Sequence, residues 1–233
     1  MVWVSVYART PYLKASHPSF LFLLCIGCAL SLSANFVSQV TDEEYSIDVA
    51  TSACQMFWVV YCLGFTLSYA GLIAKAMSTY KMLLMATSMK RRSLTFFDFF
   101  NYIFIVGACD TVILVIWQIV SPQEYVRVVN IVDETTGLPT ESVGKCTSDH
   151  MDTFVSLLMS LHIGLLIFGN VLVYKIRNAP DEISEGQWIS ASFFQILQLL
   201  ALTAPMLVLV SDEPSTYYLL KSGIIVLNDT GLI

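Results

Sequence analysis

Charge is scarce in this chain. Only 13% of its 233 residues are Asp, Glu, Lys or Arg, and 56% are hydrophobic. A soluble domain carries roughly 25% charged residues, so this balance excludes a water-soluble globule and indicates an integral membrane protein. A basic face is lacking as well. The single basic cluster is Lys90-Arg91-Arg92, and nucleic acid is therefore not an expected partner. No Ser/His/Asp arrangement, zinc-ligand spacing or phosphate-binding loop occurs, which leaves no catalytic constellation and no cofactor to expect. The opening stretch Met1–Tyr7 is too short, and its charge follows rather than precedes it, so it does not read as a signal peptide. No internal repeat or low-complexity segment interrupts the chain.

What the chain has is long apolar runs. Five are of spanning length: Pro18–Val37, Phe57–Met77, Phe99–Val120, Phe154–Tyr174 and Trp188–Val210. A weaker sixth covers Tyr217–Ile233, and a short apolar piece, Val2–Tyr7, stands at the start. The second run is the most informative. From Gln55 to Ala74 it carries no charge, and Cys54 and Lys75 bracket it 21 residues apart. At ~1.5 Å per helical residue that is about 31 Å, the thickness of a bilayer's hydrocarbon core. The expected fold is an all-α membrane protein.

The basic residues sort by side. Arg9, Lys14, Lys75, Lys81, Lys90, Arg91, Arg92, Lys175 and Arg177 fall on one set of alternating loops. The other set holds acids such as Asp42, Glu43, Glu124, Asp133 and Asp149, against only Arg127 and Lys145. Basic residues mark the cytoplasmic side, which puts the N-terminus there. The longest outer loop, residues 121–152, pairs a β-branched stretch, Tyr125–Val132, with turn chemistry at Glu134–Pro139. It predicts a β-hairpin.

Several residues carry a choice of readings. Cys54 and Cys146 are the two cysteines outside the apolar runs, both on the oxidising side. Either a disulfide pins the hairpin over the bundle, or two thiols stand unpaired. Cys25 and Cys28 match C-x-x-C but sit inside an apolar run without a second ligand pair, where cysteine acts as a small hydrophobe. Lys75 and Glu185 lie near the cytoplasmic surface; they form a salt bridge across it, or each simply snorkels to the interface. Asp110 stands about ten residues from either end of its run, a depth at which acids are costly and usually functional; the alternative is a neutral acid bonded to a neighbouring helix. His162 reads as a core histidine and Lys221 as a cation snorkelling outward. Lys90–Arg92 faces anionic lipid or a cytosolic partner, or is only a topology signal. Pro205 predicts a kink. Asn228-Asp-Thr230 matches a glycosylation sequon by chance.

A family likeness then emerges. Pro11-Tyr-Leu-Lys-Ala-Ser16-His-Pro18, leading to Cys28, resembles the first cytoplasmic loop and second helix of class C G-protein-coupled receptors. Cys54, Trp58, Gly64-Phe65 and Lys75 fall at the spacing of that family's third helix. Asp110 with Ile116-Trp117-Gln118-Ile119-Val120-Ser121-Pro122 resembles its fourth, Cys146-Thr-Ser its second outer loop, and Glu185, Phe194-Gln195 and Leu202-Thr-Ala-Pro205 its sixth. The nearest likeness is to metabotropic (type B) GABA receptors, over about Tyr7 to Leu227.

The resemblance implies a seven-helix receptor bundle in one domain, residues 1–233, incomplete, with helices two to six whole and only the ends of one and seven. It implies a Cys54–Cys146 disulfide and an ionic lock of Lys75 with Glu185. A heterotrimeric G protein would face Lys81, Lys90, Arg91, Arg92, Lys175 and Arg177. It further implies dimerisation with another receptor subunit, contact with membrane lipid, and a multi-pass protein of the plasma membrane that transduces rather than catalyses. The chain departs from the pattern in its near-absent first helix, its stop at Ile233, its lack of an agonist-binding domain, Ser78 and Tyr80 in place of an Arg and a His, and Lys221. It is expected to be a fragment or a truncated gene model. The rival expectations are a transporter or channel component lined by Asp110, His162 and Lys221, and a non-signalling dimerisation partner.

Overall fold

The computed structural model describes residues 18–88, 97–132, 139–176, 189, 191–199 and 214–232. In chain order they form α1 (Pro18–Val37), α2 (Ile47–Ser88), α3 (Phe97–Val120), β1 (Glu124–Val132), β2 (Pro139–Thr147), α4 (Met151–Ile176) and α5 (Pro214–Leu232). A short helical stretch, 191–199, precedes α5. The apolar runs at 18–37, 99–120 and 154–174 each lie within one helix. Most of the run at 188–210, with Pro205, and the piece Val2–Tyr7 lie outside the described residues.

Local chemistry sets the helix starts. α1 opens on Pro18, whose fixed φ suits a first helical turn and whose missing N–H has no partner to lose. Ser46 precedes α2 in a position that suits a helix cap, and its carbonyl accepts from the Ala50 N–H at 3.0 Å. Asp48 and Asp152 occupy the first turns of α2 and α4, and Lys175 the last turn of α4, each with the sign that the helix dipole favours.

α2 differs most from expectation. It runs 42 residues, about 63 Å at 1.5 Å per residue, roughly twice a hydrocarbon core. It extends ten residues beyond Phe57 on the hairpin side and eleven beyond Met77 on the other. Neither extension holds a Gly or Pro to end the helix, so polarity limits the apolar span without limiting the helix.

α1 crosses α2 at small residues. Gly27 and Ser31 on α1, with Gly64 and Ser68 on α2, are each four apart. A Cβ on Gly27 would lie 2.4 Å from the Ser68 backbone nitrogen, and one on Gly64 would lie 2.4 Å from that of Ser31. Where lipid is as apolar as leucine, close backbone approach of this kind is what holds helices together. α2 then serves as the axis of the bundle. Phe65, Tyr69, Leu72 and Ile73 pack with Leu24 of α1, Leu166 and Val173 of α4, and Phe193 and Ile196 of the 191–199 stretch. On another side Cys62 meets Leu114, Trp117 and Leu158 of α3 and α4.

The outward faces of α3 and α4 stay apolar: Ile105, Val112 and Ile119 on one, Ile167, Phe168 and Val171 on the other, are all exposed. Among the described residues, four helices are long and apolar enough to cross a membrane, over Ser19–Val37, Ile47–Leu84, Asn101–Val120 and Met151–Ile176. With exposed faces of lipid character, they make the chain an integral, multi-pass membrane protein.

The hairpin expected from Tyr125–Val132 is an antiparallel pair. Tyr125 stands opposite Cys146 and Val128 opposite Val143, and the register slips between Val129 and Val132. The turn expected at Glu134–Pro139 lies, except for Pro139, outside the described residues.

Candidate functional site

At the hairpin end, Cys54 of α2 is disulfide-bonded to Cys146 of β2, with Cα atoms 5.7 Å apart and a sequence separation of 92. The outward extension of α2 makes this junction. Thr51 accepts from the Tyr125 N–H at 3.3 Å, and Gln55 donates to the Gln123 carbonyl at 3.1 Å. In the amide orientation that satisfies both neighbours, the wholly buried Gln123 donates to the Cys54 carbonyl at 2.8 Å and accepts from the Trp58 indole at 3.1 Å. Between α1 and α2, Asp42 takes Arg127 as a two-pronged partner and accepts the Tyr125 hydroxyl at 2.9 Å. The Arg127 hydrogen bond, ahead of the other influences, pulls the Asp42 carboxyl below its usual 3.8. Burial first, and then the bond to Asp42, push the Tyr125 phenol up. The outer ends of α3 and α4 meet where Ser148 contacts the Ser121 hydroxyl at 2.7 Å and accepts from the Trp117 indole at 3.2 Å.

Deeper in the bundle two acids flank α2. Asp110 on α3 is wholly buried. It accepts the Thr66 hydroxyl, and its Oδ2 lies 3.3 Å from His162 Nε2. The His162 ring sits 4.4 Å from that of Phe65, which stacks on Tyr69 at 4.0 Å. Asp110 thus bonds to neighbouring helices, and His162 is a core residue with a polar partner. Thr66 gave no sequence signal, because a threonine inside an apolar run is commonplace.

Asp229 on α5 is the second acid and is also wholly buried. Its neighbour Asn228 accepts the Tyr69 hydroxyl at 3.0 Å. Like Asp110, Asp229 is an acid inside an apolar run, and the sequence carries that signal. Lys221 corrects an expectation. It does not snorkel outward: its ammonium lies 3.5 Å from the centre of the Phe57 ring on α2. α5 turns that face toward α2, and the aromatic face offers the cation a partner inside the bundle.

At the opposite end Lys75 is half-buried, and its carbonyl accepts the Thr79 hydroxyl at 3.2 Å. Glu185, its expected partner, lies outside the described residues, as do Lys90, Arg91, Arg92 and Arg177. Lys81 is half-buried and Lys175 exposed. The Lys175 ammonium lies 5.6 Å from the Tyr80 ring centre, which brings the basic ends of α2 and α4 together. Cys28 is buried, with the Ser68 hydroxyl 3.6 Å from its sulfur. Among the described residues no group of three or more His, Cys, Asp or Glu is arranged to hold a metal ion.

Comparison with known proteins adds to this geometry. The family model described as "7 transmembrane sweet-taste receptor of 3 GCPR" matches residues 1–233. The chain is 22% identical over 232 residues to gamma-aminobutyric acid type B receptor subunit 2 of Caenorhabditis elegans, covering 96% of this chain and 27% of that protein. It is 23% identical over 226 residues to gamma-aminobutyric acid type B receptor subunit 1 of Rattus norvegicus, covering 92% and 23%. It is 26% identical over 212 residues to metabotropic glutamate receptor-like protein J of Dictyostelium discoideum, covering 89% and 25%. The chain therefore spans about a quarter of the length of these relatives. A match that runs from the first residue to the last, on spanning helices with lipid-facing flanks, leaves one assignment: the chain belongs to the seven-transmembrane family of class C G-protein-coupled receptors.

Proposed function

We propose that this chain is the transmembrane core of a type B GABA receptor-like class C receptor, and that its task is G-protein-coupled transduction at the plasma membrane. The family match across the whole chain carries this reading. The type B GABA receptor subunits among its relatives favour that branch. On this reading residues 1–233 form one domain, an incomplete seven-helix bundle with helices two to six whole. A heterotrimeric G protein meets the basic end at Lys81, Lys90, Arg91, Arg92, Lys175 and Arg177, and the chain pairs with another receptor subunit.

Transduction needs two states that an agonist populates differently. In the resting state Lys75 pairs with Glu185 and holds the basic end shut; activation separates them. The half-burial of Lys75 on α2, within reach of that end, supports this role. An interfacial pair of this kind is worth roughly 0–1 kcal/mol. Lys75→Ala in a full-length receptor carrying this domain is therefore expected to raise basal G-protein activation by up to about fivefold. Nucleotide exchange measured without agonist, at matched surface expression, checks it. Unchanged basal exchange would overturn the lock.

A further inference from the structure

We propose that Gly169 of α4 is a seat for the Phe193 ring, and that the seated ring is a latch: it fixes how the 191–199 stretch is turned about its own axis and so holds the receptor at rest. The latch rests on the receptor reading above.

Glycine and ring occupy one space. A Cβ on Gly169 would lie 2.1 Å from Phe193 Cε1 and 2.4 Å from Cζ. The ring therefore stands against the bare backbone of α4, where any other residue would carry its side chain. Neither partner has room to yield. Phe193 is wholly buried and Gly169 is buried. The ring belongs to the same buried cluster as Leu166 and Val173 of α4, Tyr69 of α2 and Ile196 of its own stretch. A second glycine of α4 supplies the contrast. Gly164 is exposed, and a Cβ there would meet nothing within 4 Å. The crowding belongs to the position and not to glycine in this helix.

At 3.6 residues per turn, side chains two apart point about 200° from one another around a helix. Gln195 accordingly faces nearly away from Phe193, and its amide nitrogen lies 2.1 Å from where a Cβ on Gly231 of α5 would stand. The stretch is wedged between α4 and α5, with a glycine on each side. Only one side is stiff, because Gln195 is exposed and its amide can swing aside. Turning the stretch in either direction must lift the ring out of the Gly169 seat. Close-packed contacts shift between discrete arrangements rather than deform smoothly, which gives the stretch two positions for an agonist to populate differently. The seated one is the close-packed one, favoured by dispersion, and is assigned to rest.

The test measures nucleotide exchange in a full-length receptor carrying this domain, at matched surface expression. Gly169→Ala, which blocks the seat, and Phe193→Leu, which vacates it, should each raise basal exchange several-fold. The two together should return it toward wild type, since the shorter side chain makes room for the added methyl; a shared contact shows this non-additivity. Gly164→Ala should leave basal exchange unchanged. Loss of thermal stability in Gly169→Ala without any rise in basal exchange would reduce the seat to packing and overturn the latch, as would a fall in basal exchange. So would single effects that simply add in the double variant. If Gly169→Ala does not reach the surface, unchanged basal exchange in Phe193→Leu is decisive against the latch. A wild type without agonist-driven exchange would overturn the receptor reading and the latch with it. Agonist-driven exchange in the wild type, with basal exchange unmoved by the variants, overturns the latch alone.

Discussion

Around Cys54 and around Gly64, barely three turns apart on the same helix, the molecule is held by opposite means. At the hairpin end a covalent bridge and a chain of side-chain hydrogen bonds fasten β1 and β2 to α2, and a two-pronged Asp42–Arg127 pair ties β1 to the connection before α2. In the middle, α1 and α2 are held by the absence of side chains, with each glycine letting a serine backbone approach. Water explains the difference. At the wet end polar contacts compete with solvent, and a covalent tether supplies what they cannot. In lipid no solvent drives helices together, so contact distance decides. Polar bonds at the wet end are therefore individually dispensable, and glycine atoms in the middle are not.

The largest effect should come from opening the disulfide. Replacing Cys54 and Cys146 together by serine is expected to cost about 2–5 kcal/mol, because the bridge closes a long loop. Thermal unfolding in nanodiscs measures it; a midpoint unchanged from wild type would mean that the hairpin's hydrogen bonds suffice alone. Next comes the crossing. Gly64→Ala forces a methyl against the Ser31 backbone and should cost about 1–3 kcal/mol, as overpacking does. Gly107→Ala, where an added Cβ meets nothing within 4 Å, sharpens the comparison. It should be neutral or slightly stabilising, since alanine is the better helix former. Equal losses at both positions would remove the special status of the crossing.

The smallest effect belongs to Asp42. Its folded carboxyl titrates below its usual 3.8, so its contribution is present above that value and is lost as pH falls through the folded one. Hydrogen exchange of the hairpin amides should therefore loosen slightly below about pH 4, and Arg127→Gln should show the loosened pattern already at pH 7. Added salt should narrow that gap, because both partners are in contact with solvent. A hairpin whose exchange ignores both pH and Arg127 would leave the tether to the disulfide alone.

Much of the architecture was legible in residue order. The run at 18–37 coincides with α1, and the β-branched stretch 125–132 with β1. α2 was underestimated because hydropathy reports where lipid ends, not where a helix ends. The site was legible in part. Asp110 announced itself as an acid in an apolar run, and Cys54 and Cys146 by their sidedness. Thr66 and Tyr69 did not, since each is an ordinary residue until a neighbouring helix aims something at it.

By itself the sequence determined that the segments of α1, α2, α3 and α4 are apolar enough to enter a membrane, and where a hairpin forms. Each of these is local, read from hydropathy, charge or turn chemistry over about twenty residues. Only the tertiary structure decided that Gly27 meets Ser68, that Lys221 turns inward onto Phe57, and that Asp229 is wholly buried. These depend on how each helix is rotated about its own axis. Helices that are apolar on nearly every side carry little record of that rotation, and close packing between backbones selects it.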